Sequence, residues 1–269
     1  MTASLRLPSR DYLAFIDAES ARFCDLLTQA DPKAQVPSCP DWDASDLLWH
    51  LTEVQWFWGS IVGRALSDPA AAEEDKPDRP AAYPALVDLQ RRSTERLLAA
   101  VSAGDDSDPM WTWFDDDQTR GFSRRRQAHE ALIHRLDAEQ VVGEVTPLDP
   151  RLATDGIDEA IRIMFGGTPD WAEFRWEAGP VAVIARDTGA RWSAQVGRVV
   201  GRPEGGEAVD EPSLEVHDGR TADPVAQVSG AAGALDSWLW GRVGDDAVTR
   251  EGDPQAQSAF GRVIGNGID

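Results

Sequence analysis

The chain has 269 residues, of which 42% are hydrophobic and 27% are charged, and its formal net charge at pH 7 is -21. This composition is typical of a globular protein and too apolar for a disordered one. A strongly negative surface repels phosphate backbones and anionic headgroups, which argues against nucleic acid and membranes as partners. The sequence has no apolar run long enough to span a bilayer, and its start lacks the apolar core of a signal peptide. We therefore expect a cytoplasmic protein.

The first half of the chain carries the apolar spacing of helices. The predicted helices cover residues 11–30, 44–66, 84 to just before Gly104, and 123–143. Ser9 and Ser123 are the expected caps of the first and fourth helices, and Asp43 with Asp46 has the spacing of a capping box before the second. The acidic, proline-rich residues 67–82 are predicted to be a surface connection. Four helices with two long connections predict a four-helix bundle.

After Pro150 the pattern changes from helical to mixed. A helical stretch precedes two alternating segments, VAVIARD and ARWSAQVG, which predict a β-hairpin. Further short strands are expected at 214–216 and 225–228, followed by a helix over 235–240 and a last helix that starts at Asp253-Pro254. The predicted fold class is α+β, with a helical bundle in residues 1–147 and a smaller α+β domain in residues 148–269.

Only two cysteines are present, Cys24 in a helical pattern and Cys39 in a loop. A disulfide framework is not expected from this number. A catalytic Cys39 is conceivable, but no base lies near it in the sequence, so a structural role is the favoured interpretation.

Three of the four histidines fall in the second and fourth predicted helices. His50 shares a helical face with Leu47 and Val54, which directs its ring toward the bundle interior. Glu130 and His134 are four residues apart, so both side chains can reach one ion. Together these three residues would give a divalent metal three protein ligands and an open position, as in catalytic zinc sites.

The neighbouring residues narrow this hypothesis. His129 lies five residues before His134 and cannot face the same metal from a regular helix. Asp137, one turn after His134, could orient a metal ligand by hydrogen-bonding to it. The spacing leaves a simpler alternative open. A histidine on an apolar face is usually a hydrogen-bonded core residue, and a glutamate four residues before a histidine is an ordinary helix pair.

Several segments resemble one known family. PSCPDWDASDLLWHL, followed by AHEALIHRLDAE, is similar to the mycothiol-dependent maleylpyruvate isomerase family, and so are the later segments DGIDEAI, SGAAGALDSWLWGR and EGDPQAQSAF. The resemblance implies a DinB-like four-helix bundle at the N-terminus. It also implies that His50, Glu130 and His134 bind a divalent metal, usually zinc, and that mycothiol is the thiol cosubstrate.

The function that follows is a mycothiol-dependent metalloenzyme that activates the thiol for attack on a small electrophile. The reaction would be either a cis-trans isomerisation of the maleylpyruvate type or an S-transfer. A second hypothesis is a non-catalytic, metal-binding DinB-like protein for stress response or ligand sensing, and a third is a scaffold whose triad is coincidental. Arg242 is the expected catalytic anchor for a carboxylate, because its guanidinium could reach a groove between domains. The alternative is that Arg242 satisfies the carbonyls at a helix C-terminus.

Overall fold

Four long helices and one short one form the first of two units in the computed structural model, which describes residues 5–217 and 223–268. This helical unit comprises Leu7–Thr146. Its helices are α1 (Ser9–Gln29), α2 (Ala44–Arg64), α3 (Ala70–Glu73), α4 (Tyr83–Ser102) and α5 (Arg120–Val142). The helical N-terminal region with four main helices agrees with the prediction, and the four-residue α3 lies within the connection predicted for residues 67–82.

Side-chain caps set the starts of the two helices that matter most for the site. Asp43 accepts a hydrogen bond from the backbone N–H of Asp46 and the Asp46 side chain accepts one in return, so the predicted capping box before α2 is confirmed. The predicted cap of α5 is wrong, because Thr119 caps this helix and Ser123 lies buried inside it. The predicted Ser9 cap is also wrong, since Pro8 occupies that position.

The core of the helical unit is built from apolar residues at helical spacing. Phe23 and Leu27 of α1 meet Leu47 and Leu51 of α2 and Leu86 of α4, and all five side chains are fully buried. Burial of this size stabilises the unit by about 1.5–3 kcal/mol per side chain. Its effect on function is to hold α2 and α5 in fixed register.

The second unit, which starts at Pro147 and includes described residues 5 and 6, combines helices with a mixed sheet. Its helices are α6 (Pro150–Glu159), which continues into a π-helical turn (Ala160–Met164), α7 (Ala232–Leu239) and α8 (Pro254–Ile264). Its strands are β1 (Ala172–Trp176), β2 (Val181–Ala185), β3 (Arg191–Gly201), β4 (Val209–Val216), β5 (Ala226–Gly230) and β6 (Thr249–Gly252). The overall class is therefore α+β, as predicted.

The sheet is organised around the long strand β3. The predicted hairpin is confirmed, because β2 and β3 pair antiparallel with Val181 opposite Ala194. β1 continues along the same edge of β3, and β4 pairs with the other edge. β5 joins β2 in parallel, and β6 pairs antiparallel with β5. The last helix starts as predicted, with Asp253 accepting from the N–H of Ala256 and Pro254 in the first turn.

Strands β1 and β6 were not predicted. β1 has the sequence AEFRW, and its side chains are mostly exposed, so it lacks the buried alternation that identifies a strand. Among the described helices, none is both long enough and apolar enough to cross a bilayer. Cys24 and Cys39, both within the described residues, form no disulfide with each other.

Candidate metal centre

His50 enters the site from α2. It lies on the second turn after the capping box, and its side chain is 31% exposed. The imidazole packs against the indole of Trp42, with ring centroids 4.8 Å apart, and against the ring of His134 at 4.7 Å. These contacts hold the ring beside α5 while leaving part of it accessible.

Glu130 and His134 enter from α5 on successive turns. Oε1 of Glu130 lies 3.1 Å from Nε2 of His134 and 3.5 Å from Nε2 of His50. The potential ligand atoms of these three residues all lie within 4.8 Å of one another, and no other such group of three occurs within residues 5–217 and 223–268. The structure thus brings together the three residues selected from sequence as metal ligands.

A second layer of polar contacts orients these side chains. Asp137 places Oδ2 2.9 Å from Nδ1 of His134, and its Oδ1 accepts a 2.6 Å hydrogen bond from Ser38. Arg126 donates to Oε2 of Glu130 at 2.8 Å. Nε2 of His134 and Oε1 of Glu130 therefore face each other and the ring of His50. The contribution of Asp137 was anticipated, but those of Ser38 and Arg126 were not. For Arg126 its place four residues before Glu130 was an available signal.

The charges of the site are coupled. Burial opposes the charged form of His134, but hydrogen bonds to Asp137 and Glu130 outweigh it and raise its pKa to about 9. Burial likewise favours the neutral form of Glu130, yet the hydrogen bonds with His134 and His50 and the charge of Arg126 bring its pKa well below the usual range. Without a metal the site therefore holds an imidazolium against a carboxylate.

The donor set fits a divalent metal. Two imidazole nitrogens and one carboxylate oxygen are the ligands of many catalytic zinc sites, in which metal–ligand distances of about 2.0–2.2 Å and tetrahedral angles separate the ligand atoms by about 3.3–3.5 Å. The observed separations of 3.1 and 3.5 Å from Glu130 Oε1 bracket that value. Coordination requires the neutral imidazole, so a bound metal would replace the proton of His134.

The other two histidines lie elsewhere. His129 is buried, with its ring centroid 6.5 Å from that of Tyr12. Its position five residues before His134 turns it away from the metal face and toward α1. His217 directly follows β4 in the second unit, and its Nε2 lies 3.7 Å from Oε2 of Glu215.

Arg242 follows α7 in the second unit. Gly241 has a φ of 70°, and the backbone N–H of Arg242 donates to the carbonyl of Ser237 at 2.8 Å, which closes the helix end. The guanidinium donates to the carbonyl of Trp240 at 2.6 Å. A catalytic role for this side chain stays a prediction.

A bundle of four main helices that presents a His-Glu-His group from two of them is a DinB-like domain with a possible metal site. Residues 13–139 match the sequence model described as "Mycothiol maleylpyruvate isomerase N-terminal domain". The helical unit of this chain thus belongs to the mycothiol maleylpyruvate isomerase family.

Two solved structures share the fold across both units. A crystal structure of the mycothiol-dependent maleylpyruvate isomerase, as a histidine-to-alanine mutant, is 16% identical, with a TM-score of 0.62 over 93% of this chain and 96% of that chain. A second crystal structure of the mycothiol-dependent maleylpyruvate isomerase is also 16% identical, with a TM-score of 0.60 and the same coverage. Comparison with curated proteins gives no significant match.

Proposed function

We propose that this protein is a mycothiol-dependent metalloenzyme in which His50, Glu130 and His134 hold one divalent metal, with zinc as the expected ion. The observation that carries the proposal is the convergence of two imidazole nitrogens on one carboxylate oxygen, at 3.1 and 3.5 Å. Membership of the mycothiol maleylpyruvate isomerase family supports the choice of thiol. When bound, the metal supplies a Lewis acid that keeps a thiol ionised at neutral pH.

The chain's own residues prepare this site. Asp137 accepts a hydrogen bond from Nδ1 of His134, which fixes the tautomer that leaves Nε2 free to coordinate. Arg126 occupies Oε2 of Glu130 and so leaves Oε1 for the metal. Arg242 is proposed to bind a carboxylate of the electrophile or the thiol, because a guanidinium suits a planar anion.

The reaction requires no co-reactant besides the thiol and an electrophile that carries an activated double bond or a leaving group. In an isomerisation, the thiolate forms a C–S bond to one carbon of a cis double bond, and the π electrons move onto a conjugated carbonyl oxygen. The new single bond rotates, the electrons return, and the C–S bond breaks to give the trans isomer and the thiolate. In an S-transfer, the C–S bond remains and a leaving group departs with its electron pair.

Turnover with and without the ligand triad tests the proposal. We expect the zinc-loaded protein to consume mycothiol with an electrophile or to isomerise maleylpyruvate, and a His50, Glu130, His134 triple alanine variant to lose both zinc and turnover. His217→Ala, which removes a histidine from the other unit, is the matched control and keeps both. Zinc in the wild type without turnover on any electrophile would favour a metal-binding sensor instead. Full zinc occupancy in the triple variant would refute the metal site itself.

A further inference from the structure

Gln127 on α5 has a buried amide that the fold does not satisfy. The residue is 1% exposed, and neither its side-chain oxygen nor its nitrogen forms a hydrogen bond with any residue that the structure describes. Each buried polar group without a partner costs about 1–3 kcal/mol, and such groups are rare in native proteins. One turn earlier, the buried hydroxyl of Ser123 likewise forms no hydrogen bond with any described residue.

Both residues lie on the face of α5 that carries the metal ligands. Ser123, Gln127, Glu130 and His134 are spaced by four, three and four residues, which is the spacing of one helical face. Residues three apart on a helix have Cβ atoms about 5–6 Å apart, so the Gln127 amide starts one turn from Glu130. The unsatisfied groups therefore continue the polar row of the metal centre toward the start of α5.

Helix α2 forms no hydrogen bond with the side chains of Ser123 and Gln127. Ser38, which precedes α2, bonds Asp137 near the end of α5, and His50 contacts Glu130 earlier in α5, so the two helices run antiparallel. The residues one and two turns after His50 on the same face of α2 are Val54 and Phe57, which are apolar and partly exposed. Gln127 thus lies one helical turn from Glu130 in a helix that packs on α2.

We propose that Gln127 binds an amide group of the thiol cosubstrate, an inference that rests on the proposed function and extends it. A ligand amide can accept from the Gln127 NH2 and donate to its oxygen, which satisfies both atoms, whereas a carboxylate offers no donor and leaves the oxygen without a partner. In an N-acylated cysteinyl thiol the amide is only a few covalent bonds from the sulfur. With the sulfur at the metal centre, its amide falls one helical turn away, where Gln127 lies.

Calorimetric titration of the zinc-loaded, full-length protein with two probe thiols tests this assignment. N-acetylcysteinamide carries the amide group, and 2-mercaptoethanol does not. We expect the wild type to bind the amide thiol about tenfold or more tightly than 2-mercaptoethanol, as one or two hydrogen bonds predict. Gln127→Leu, which keeps the size of the side chain, should bind both thiols with the affinity of 2-mercaptoethanol.

Gln55→Leu is the matched control, because Gln55 is an equally buried glutamine whose amide is satisfied inside the fold. Its nitrogen donates to Ser20 at 2.8 Å and its oxygen accepts from Thr94 at 2.6 Å. We expect Gln55→Leu to lower the thermal midpoint and keep the preference for the amide thiol. Gln127→Leu should raise the thermal midpoint and abolish the preference for the amide thiol. Gln127→Glu, which replaces the amide donor by a carboxylate oxygen and adds a negative charge, provides a second variant with the same expected loss of preference.

The possible failures are distinguishable. A Gln127→Leu protein that keeps zinc and still prefers the amide thiol overturns the assignment, and so does a wild type that binds the two thiols equally. If neither thiol binds the zinc-loaded wild type, the proposed function fails, and the assignment of Gln127 fails with it.

Discussion

Helix α5 carries buried charged and polar residues on two faces, and the two faces differ in how completely these residues are paired. Toward α1, Arg135 donates to Glu19 at 2.6 Å and to Glu139 at 2.8 Å. Glu139 also accepts from the backbone N–H of Thr146 at 2.7 Å and from Arg22 at 3.3 Å. This closed network joins α1, α5 and the segment that follows α5.

The face of α5 toward α2 carries polar groups that are incompletely paired. Glu130, His134 and His50 contact one another, and Gln127 beside them bonds to no residue in the described part of the chain. A buried ion pair stabilises a fold only when its hydrogen bonds are complete, whereas ligand sites leave polar groups for the ligand to satisfy. Burial alone therefore does not identify a functional side chain. The state of its hydrogen bonds does.

The sharpest test of this contrast is the loss of metal on one face only. His134→Ala should reduce the zinc content from about one ion per chain to near zero, because two remaining ligands bind too weakly. His129→Ala, on the α1 face of the same helix, should keep the zinc and lose thermal stability instead. Metal analysis after dialysis and thermal unfolding measure the two effects. Equal zinc contents in the two variants would show that the two faces of α5 do not differ in metal binding.

The closed network should show the opposite pattern. Glu139→Ala removes one of the two carboxylates that Arg135 contacts and the acceptor of the Thr146 N–H, so we expect a loss of about 1–3 kcal/mol in the free energy of unfolding with the zinc content unchanged. Glu144→Ala, an exposed glutamate on the same segment, should change stability by less than about 0.5 kcal/mol. Denaturant titrations of both variants provide the measurement. A Glu139 variant as stable as the Glu144 variant would show that the network does not contribute to the fold.

These contrasts also explain what the sequence could predict. The capping box of Asp43 and Asp46 and the pair Glu130 and His134 depend on residues three and four apart, so local spacing was sufficient for both. The start of α5 at Thr119 was missed, since the backbone around it is set by a bridge to Pro109 ten residues earlier. Local patterns contain no such information.

Pairing between distant residues accounts for the other differences. Strands β1 and β6 exist because β3 and β5 supply their hydrogen bonds, and neither has an alternating pattern of its own. The unsatisfied amide of Gln127 is likewise invisible in the sequence, because a glutamine is identified as unpartnered only when its surroundings are known. The sequence thus predicts the His-Glu-His group but not the unsatisfied amide on the same face of α5.

Substitutions at Arg242 test its proposed role as the anchor of a substrate carboxylate. Arg242→Ala should lower turnover by roughly tenfold to a thousandfold while zinc content and folding stay unchanged, if its guanidinium binds a substrate carboxylate in the transition state. Arg242→Lys discriminates between roles: it should restore a helix-end interaction, worth at most about 1 kcal/mol, but not a bidentate clamp. Steady-state kinetics equal to wild type for the alanine variant would remove Arg242 from the active site.

The orientation of His134 by Asp137 should have a smaller effect. Asp137→Asn keeps the shape of the side chain but removes its charge, and we expect zinc affinity to fall about 10–100-fold, the usual cost of losing such a partner. Ser38→Ala removes the other hydrogen bond of Asp137 and leaves the contact with His134 intact. Competition titrations with a zinc indicator compare the two. An Asn variant that binds zinc as tightly as Ser38→Ala would show that Asp137 is dispensable for the metal centre.

The smallest expected effect is the acid dependence of the closed network. Burial raises the pKa of Glu139, but hydrogen bonds from the Thr146 backbone and hydroxyl and the charge of Arg135 more than offset it, so the folded-state pKa lies below the ordinary value of 4.5. A carboxyl group with a lowered pKa stabilises the fold above its unfolded-state pKa, and this contribution is lost as the pH falls through the folded-state value. The stability difference between wild type and Glu139→Gln should therefore be constant near neutral pH and shrink progressively below about pH 4.5. Denaturant unfolding across that pH range measures the stability difference between wild type and Glu139→Gln, and the exposed Glu144→Gln variant is the control.

A stability difference that widens toward acid would mean that the Glu139 pKa is raised, and that burial rather than pairing governs this face of α5.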